Sequence, residues 1–365
     1  MSARTALAMV QTAPRCIEPR ELPLPALGAD DALLRVEACG ICGSDVESFE
    51  GVLQVPLPLV PGHEPLGRIE AIGERAARRW GIAVGDRVAV ETLLTCGACP
   101  RCRGGDYQLC AARRVYSYIP LAEPPGLWGA YAEYLYLPPN AILHRVDPSL
   151  PAELAVLFNP LGAGFRWAVE MPRTQPGDTV LVMGPGQRGL ASVIACREAG
   201  AGTILVTGLE RDAHKLALAR ELGADHTLVA DREDVRSRVR ELTGGRGADV
   251  VVEVTAFATE PVRDAVDCAR LGGTVVLAGV KGMKPIEGFV SDKVVLKEVA
   301  IRGAIGVTWA AYERAIRLIE SRRIPLEKMQ THRFGLRDAE RAVRTLAGEF
   351  PEERAIHCCL LPREG

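Results

Sequence analysis

The chain has 365 residues, is 48% hydrophobic and 25% charged, and carries a formal net charge of −2. That balance describes a globular protein with material for two domains, and it offers no electrostatic basis for binding nucleic acid or an anionic membrane. The first apolar run is cut by Pro14 and Arg15, too early for a signal peptide, and no apolar stretch approaches the roughly 20 residues of a membrane span. Eleven cysteines without an export signal point to a reducing compartment, where clustered thiols bind metal, so a cytoplasmic location is expected.

To about residue 155 the chain is built of short strands and turns. ALLRVEACGIC (32–42) alternates as a strand does, and GRIEAIG (67–73), GDRVAVE (85–91), WGAYAEYLYLPPN (128–140) and AILHRV (141–146) follow with Gly and Pro between them. An antiparallel, barrel-like β domain is expected. Near Pro151 the rhythm changes, and PAELAVLFNPLGAGFRWAVEM (151–171) reads as helix interrupted at Pro-Leu-Gly. From Asp178 strands and helices alternate: DTVLVMG, RGLASVIACREAG, TILVTG and DAHKLALARELG, then the apolar strands ADVVVEVT and GGTVVLAGV. Near-continuous apolar strands between helices indicate a doubly wound parallel sheet, making the chain α/β with a β-rich first domain. VAIRGAIG (299–306) is the last strand of that sheet. The amphipathic helices AYERAIRLIESRRI and LRDAERAVRTLAG and the terminal strand AIHCCLLP then return to the first domain. The expected organisation is 1–160, 161–304 and a returning 305–365.

Three motifs carry chemistry. Cys96, Cys99, Cys102 and Cys110 are spaced C-x2-C-x2-C-x7-C within a lobe spanning about 94–112. Four thiolates make a closed tetrahedral shell, which is a structural zinc with no position open to substrate. Cysteines three apart bridge poorly as disulfides. Gly184-Pro185-Gly186-Gln187-Arg188-Gly189 fits G-x-G-x-x-G between a strand and a helix, the context in which this loop cradles a dinucleotide pyrophosphate. At the end of the next strand, where an acid would hold the ribose, stands Gly208. Glu210 can still reach a ribose hydroxyl, favouring NAD, whereas Arg211 and Lys215 can pair a 2′-phosphate, favouring NADP. All three also suit the solvated start of a helix. In the β domain, GICGSD holds Cys42, Ser44 and Asp45, and VPGHEP holds His63 and Glu64. A thiolate and an imidazole of this kind can hold a second, catalytic zinc if one coordination position stays open.

Taken together, GICGSD, GHE, the four-cysteine lobe, GPGQRG, TGGRGADVVVEV and the returning tail resemble the zinc-dependent medium-chain alcohol dehydrogenases of the sorbitol and threonine dehydrogenase type. The resemblance implies a GroES-like catalytic domain followed by a Rossmann domain. It makes Cys42 and His63 catalytic zinc ligands, sets Asp45 behind His63, puts Ser44 on the path of the alcohol proton and brings Glu64 to the metal. The implied reaction moves hydride between an alcohol or carbonyl substrate and NAD or NADP. Two departures stand out. Asn159 occupies the place of a third ligand that is usually Glu or Cys, so either Glu64 or water completes the shell, Asn159 binds weakly through its oxygen, or the zinc is labile or absent. Glu47 occupies the place of a proton-relaying histidine, and a carboxylate serves there if its pKa is raised. The resemblance also implies a homodimer or homotetramer through VAIRGAIG.

Tyr116, Tyr118, Trp128 and Phe49 either line a pocket for an apolar or aromatic alcohol or pack the core. Two other functional readings are open at this point: a zinc-independent alkene or quinone reductase of the same superfamily, and a catalytically silent dinucleotide-binding regulator. Metal content separates them, with about two zincs per chain expected of the dehydrogenase and about one of either alternative.

Overall fold

The computed structural model describes residues 4–363. It divides into two compact units, Met1–Asn159 with Ile316–Gly365, and Pro160–Ala315. The chain re-enters the first unit at Ile316, inside the helix Trp309–Glu320, rather than at residue 305.

The first unit is a seven-stranded sheet in the order Gln330–Gly335, His357–Leu361, Ala32–Gly40, Pro65–Ile72, Arg87–Val90 and Leu143–Arg145, with Tyr134–Leu137 also paired to Ala32–Gly40. Its pairings are antiparallel except between the first two of these strands. Alternation in Ala32–Gly40 sends Leu34, Val36 and Ala38 into the core at 0% exposure. Register is what builds the site. Cys39 lies opposite both Pro65 and Leu360. The segment leaving Gly40 and the segment entering Pro65 therefore emerge side by side, carrying Cys42 from one and His63 and Glu64 from the other. Gly62, just before them, has φ 92°, and a Cβ there would lie 2.4 Å from the Tyr131 ring and 2.9 Å from Cys39 Sγ, so no other residue fits.

The second unit is a six-stranded parallel sheet in the order His226–Val229, Thr203–Gly208, Thr179–Met183, Ala248–Glu253, Ala269–Leu277, Ala300–Gly303. This is the 3-2-1-4-5-6 order of a dinucleotide-binding sheet. Thr179–Met183 and Ala248–Glu253 are buried at every position, as strands covered on both faces must be.

Three elements differ from the sequence reading. The hairpin Thr5–Ala13/Cys16–Pro23 and the strand Gln330–Gly335 were not anticipated. The helix Phe158–Phe165 runs through Pro160-Leu161-Gly162 instead of breaking there. Pro160 falls in its first turn, where a missing N–H costs nothing, and the interruption comes earlier, at Val156 and Leu157. Among the described residues no helix is long and apolar enough to cross a membrane.

Candidate metal centres and dinucleotide loop

In the first unit one ligand atom each from Cys42, His63 and Glu64 lies within 4.8 Å of the other two. His63 is 5% and Glu64 0% exposed, and Cys42 is half-buried. Cys42 is the residue before the helix Gly43–Phe49 and is locked there, because its backbone N–H donates to Asp45 Oδ2 at 2.8 Å. The other carboxylate oxygen of Asp45 stands 3.4 Å from His63 Nδ1. With Nδ1 engaged on that side, Nε2 is the nitrogen left to bind a metal. Burial alone would lower the pKa of His63, but Asp45 and Cys42 outweigh it and raise it well above the usual imidazole range. Surroundings negative enough to hold a proton on this ring are also suited to a cation. A half-buried thiol converging on one point with a buried imidazole and carboxylate forms a donor set that fits zinc.

Ser44 Oγ lies 3.3 Å from His63 Nε2. Glu47 follows at i+3 on the same helix face and is 8% exposed. Burial, with the negative charge of Cys42 adding to it, raises the Glu47 pKa to about 7. Asn159 is 2% exposed. Its Nδ2 donates to Thr92 Oγ1 at 3.0 Å, and that hydroxyl donates to the His63 carbonyl at 2.9 Å, so Asn159 braces the backbone that carries a ligand. Of the four aromatics, Tyr116, Trp128 and Phe49 are core residues at 0%, 5% and 1% exposure. Tyr118 alone approaches the cluster, with its ring 6.1 Å from that of His63 in an edge-on arrangement.

The four lobe cysteines also converge, all within 4.8 Å. Sγ separations of 3.9 Å (Cys96–Cys102), 3.5 Å (Cys99–Cys102) and 3.6 Å (Cys96–Cys110) match the edge of about 3.8 Å for a tetrahedron of zinc–sulfur bonds of about 2.3 Å. Backbone N–H groups of Ala98 and Cys99 hold the Cys96 thiol down to about 6, close to a ready-made thiolate. The lobe docks on the sheet through Tyr107, whose hydroxyl lies 2.8 and 3.0 Å from the two oxygens of buried Glu91. His144 Nε2 stands 3.0 Å from the same carboxylate.

In the second unit Gly184 takes φ 106° at the end of Thr179–Met183, and the helix Gln187–Glu198 starts straight after Gly186. A Cβ on Gly189 would sit 1.8 Å from the Gly184 carbonyl, so helix and loop touch only because it is glycine. Gln187 is buried, and Arg188 lies 5.4 Å over the Trp167 ring. A side chain on Gly208 would meet Pro185 Cγ at 2.8 Å, which leaves no room for an acid. Glu210 is ion-paired with Arg232, and Lys215 with Asp212 at 3.2 Å. Arg211 is exposed and forms no ion pair among the described residues.

Ser117, Thr92 and Tyr107 carry contacts that the motifs do not announce. Each acts across a long sequence separation, as Ser117 does in meeting His63 from 54 positions away, and only a register-level reading of the sheet would have found them.

Residues 28–148 match the family model for the alcohol dehydrogenase GroES-like domain. Residues 189–321 match that for zinc-binding dehydrogenase. The chain is 48% identical over 360 residues, 97% of its own length and 98% of the other's, to a Mycobacterium tuberculosis protein named probable alcohol dehydrogenase adh. It is 33% identical, over 90% of each chain, to the erythritol/L-threitol dehydrogenase of Mycolicibacterium smegmatis. A Sinorhizobium meliloti 1021 protein described as a zinc-binding dehydrogenase, solved with NADP bound, superposes with a TM-score of 0.86 at 28% identity, covering 98% of this chain and 100% of that one.

Proposed function

The chain belongs to the zinc-type medium-chain alcohol dehydrogenases, and from that premise we propose that Cys42, His63 and Glu64 hold the metal of an NAD(P)-dependent oxidation of a primary or secondary alcohol to its aldehyde or ketone, and of the reverse reduction. The convergence of these three side chains within 4.8 Å carries the reading. Zinc in that donor set supplies Lewis acidity toward the substrate oxygen, and NAD(P) accepts the hydride. The protein's own residues do the rest. Asp45 orients His63, and Asn159 and Thr92 brace its backbone. Ser44 accepts the hydroxyl proton while passing its own toward Glu47, whose raised pKa suits it to take that proton near neutral pH. Glu64 serves as third ligand, because its buried carboxylate lies in the cluster and carries the charge that the neutral amide of Asn159 lacks.

The four-cysteine lobe holds a second, structural zinc. All eleven cysteines are free thiols, which fits a cytoplasmic setting that keeps the lobe reduced. With three of the four aromatics in the core, an apolar-alcohol preference rests on Tyr118 alone, and the relative named for erythritol and threitol favours a more polar alcohol. At the cofactor, the absence of room for an acid at Gly208 and the exposed Arg211 favour NADP. The exposed edge strand Ala300–Gly303 supports a homodimer, with a homotetramer built from it.

The deciding experiment is zinc quantification with alcohol turnover on the native chain and on Cys42→Ala. About two zincs per native chain are expected, and about one in the variant with turnover lost. One zinc in the native chain with no turnover of any alcohol would instead support a zinc-independent alkene or quinone reductase or a silent dinucleotide-binding regulator.

A further inference from the structure

Two elements, not one, reach His63 Nδ1. Besides Asp45 Oδ1 at 3.4 Å, Ser117 Oγ lies 3.3 Å away, on the loop that leaves the four-cysteine lobe. Both distances are long for a single strong hydrogen bond, as expected when one N–H is shared between two acceptors.

The backbone of Ser117 makes the contact informative. Its φ is 70°, in the left-handed region. Among the described residues eight non-glycines have positive φ, and of these Ser117 alone is buried, at 2% exposure. Such a conformation costs a buried serine about 1 kcal/mol or more that a glycine would not incur. The turn is pinned on both sides, by Ser117 N–H to the Trp128 carbonyl at 2.7 Å and by Tyr118 N–H to the Val115 carbonyl at 3.1 Å. Glycine would satisfy all of that backbone geometry with less strain. What glycine lacks is the hydroxyl, and the hydroxyl's partner is His63.

We propose that Ser117 is a positioning residue for His63, sharing the Nδ1–H with Asp45 so that the ring is fixed from two elements and Nε2 is held toward Cys42 and Glu64. A single partner fixes the direction of Nδ1 but leaves the ring plane free to swing, and a second partner on another element removes that freedom. The inference rests on the reading of Cys42, His63 and Glu64 as a metal site.

The test uses Ser117→Gly and Ser117→Ala, read by Zn2+ affinity in competition with a chromophoric chelator and by the ligand-field spectrum of the Co2+-loaded protein. Cys42→Ala, which keeps only the lobe ion, identifies the step belonging to this site. The expected result is that Ser117→Gly melts no lower than the native chain yet binds Zn2+ at this site 10–100-fold more weakly. Ser117→Ala should lose a similar factor, and both should show altered Co2+ bands. Ser117→Gly with native affinity and native bands would overturn the proposal, since the residue would then only shape a turn. If Ser117→Gly does not fold, Ser117→Ala with native affinity and bands overturns it equally. His63→Ala separates the two levels. If that variant keeps the native Zn2+ affinity, the metal-site reading itself fails; if it loses the site and both Ser117 variants keep it, only the role of Ser117 fails.

Discussion

Glu47 shows how much a single position can carry. In sequence it is a departure, a carboxylate where a relaying histidine is usual in the family. In the structure it is 8% exposed, and its pKa rises to about 7, chiefly through burial. A carboxyl with a raised pKa holds its proton below that value and accepts one above it. Alcohol oxidation should therefore climb with pH through about 7, while carbonyl reduction, which needs the protonated form, should fall over the same range. Glu47→Gln should flatten that limb and slow oxidation by about 10²-fold. The linkage to folding runs the same way. The unfolded carboxyl ionises near its model value of 4.5, the folded one only near 7, so native stability declines between those values and stays lower above them. Glu47→Gln should thus raise Tm at pH 8 and leave it nearly unchanged at pH 4. A pH–rate profile that keeps its limb in Glu47→Gln, measured with a thermal melt at both pH values, would remove Glu47 from the relay. Glu47 was legible as a candidate, because residue type and motif position are local. Its burial was not, because burial is set by strands far away in sequence.

At the level of elements, the legible features were those whose signal is confined to one segment. The four-cysteine spacing and the strand–GPGQRG–helix context each specify their own geometry. The break at Pro160 was misplaced because helices tolerate proline in the first turn, and the strand Gln330–Gly335 escaped because its partner, His357–Leu361, lies beyond a helix. The turn after Thr203–Gly208 lies between these cases. Its residues are candidates in the sequence, but only packing distinguishes them: Pro185 fills the space beside Gly208, Arg232 takes Glu210, Asp212 takes Lys215, and Arg211 is left exposed. A charge-assisted contact of Arg211 with a 2′-phosphate is worth about 1.5–3 kcal/mol, or roughly 10–100-fold in affinity. Arg211→Ala should weaken NADPH binding by that factor and alter NADH binding by less than about twofold, as read from nicotinamide fluorescence. A native chain that binds NADH more tightly than NADPH would reverse the assignment.

Across the whole chain, the large exposed apolar side chains of the second unit fall, among the described residues, between Leu271 and Trp309. Ala300–Gly303 is the edge strand and is exposed at all four positions, with Ile301 at 37%. Val295 and Leu296, on the helix Ser291–Lys297 that precedes it, are 73% and 81% exposed, and Met283 is fully exposed. An unprotected edge strand beside large exposed apolar side chains is a liability in a monomer and an interface in an oligomer. A two-fold axis at the edge would pair Ala300–Gly303 with its copy, satisfy the open backbone groups and cover these side chains in one step. An introduced carboxylate there would face its symmetry mate across the axis, so repulsion and desolvation would act together. Leu296→Asp combined with Ile301→Asp should therefore halve the mass measured by light scattering at micromolar concentration, with an unchanged far-ultraviolet circular dichroism spectrum showing that the unit remains folded. A native chain that is monomeric at the same concentration would show that this edge is covered by something other than a second copy.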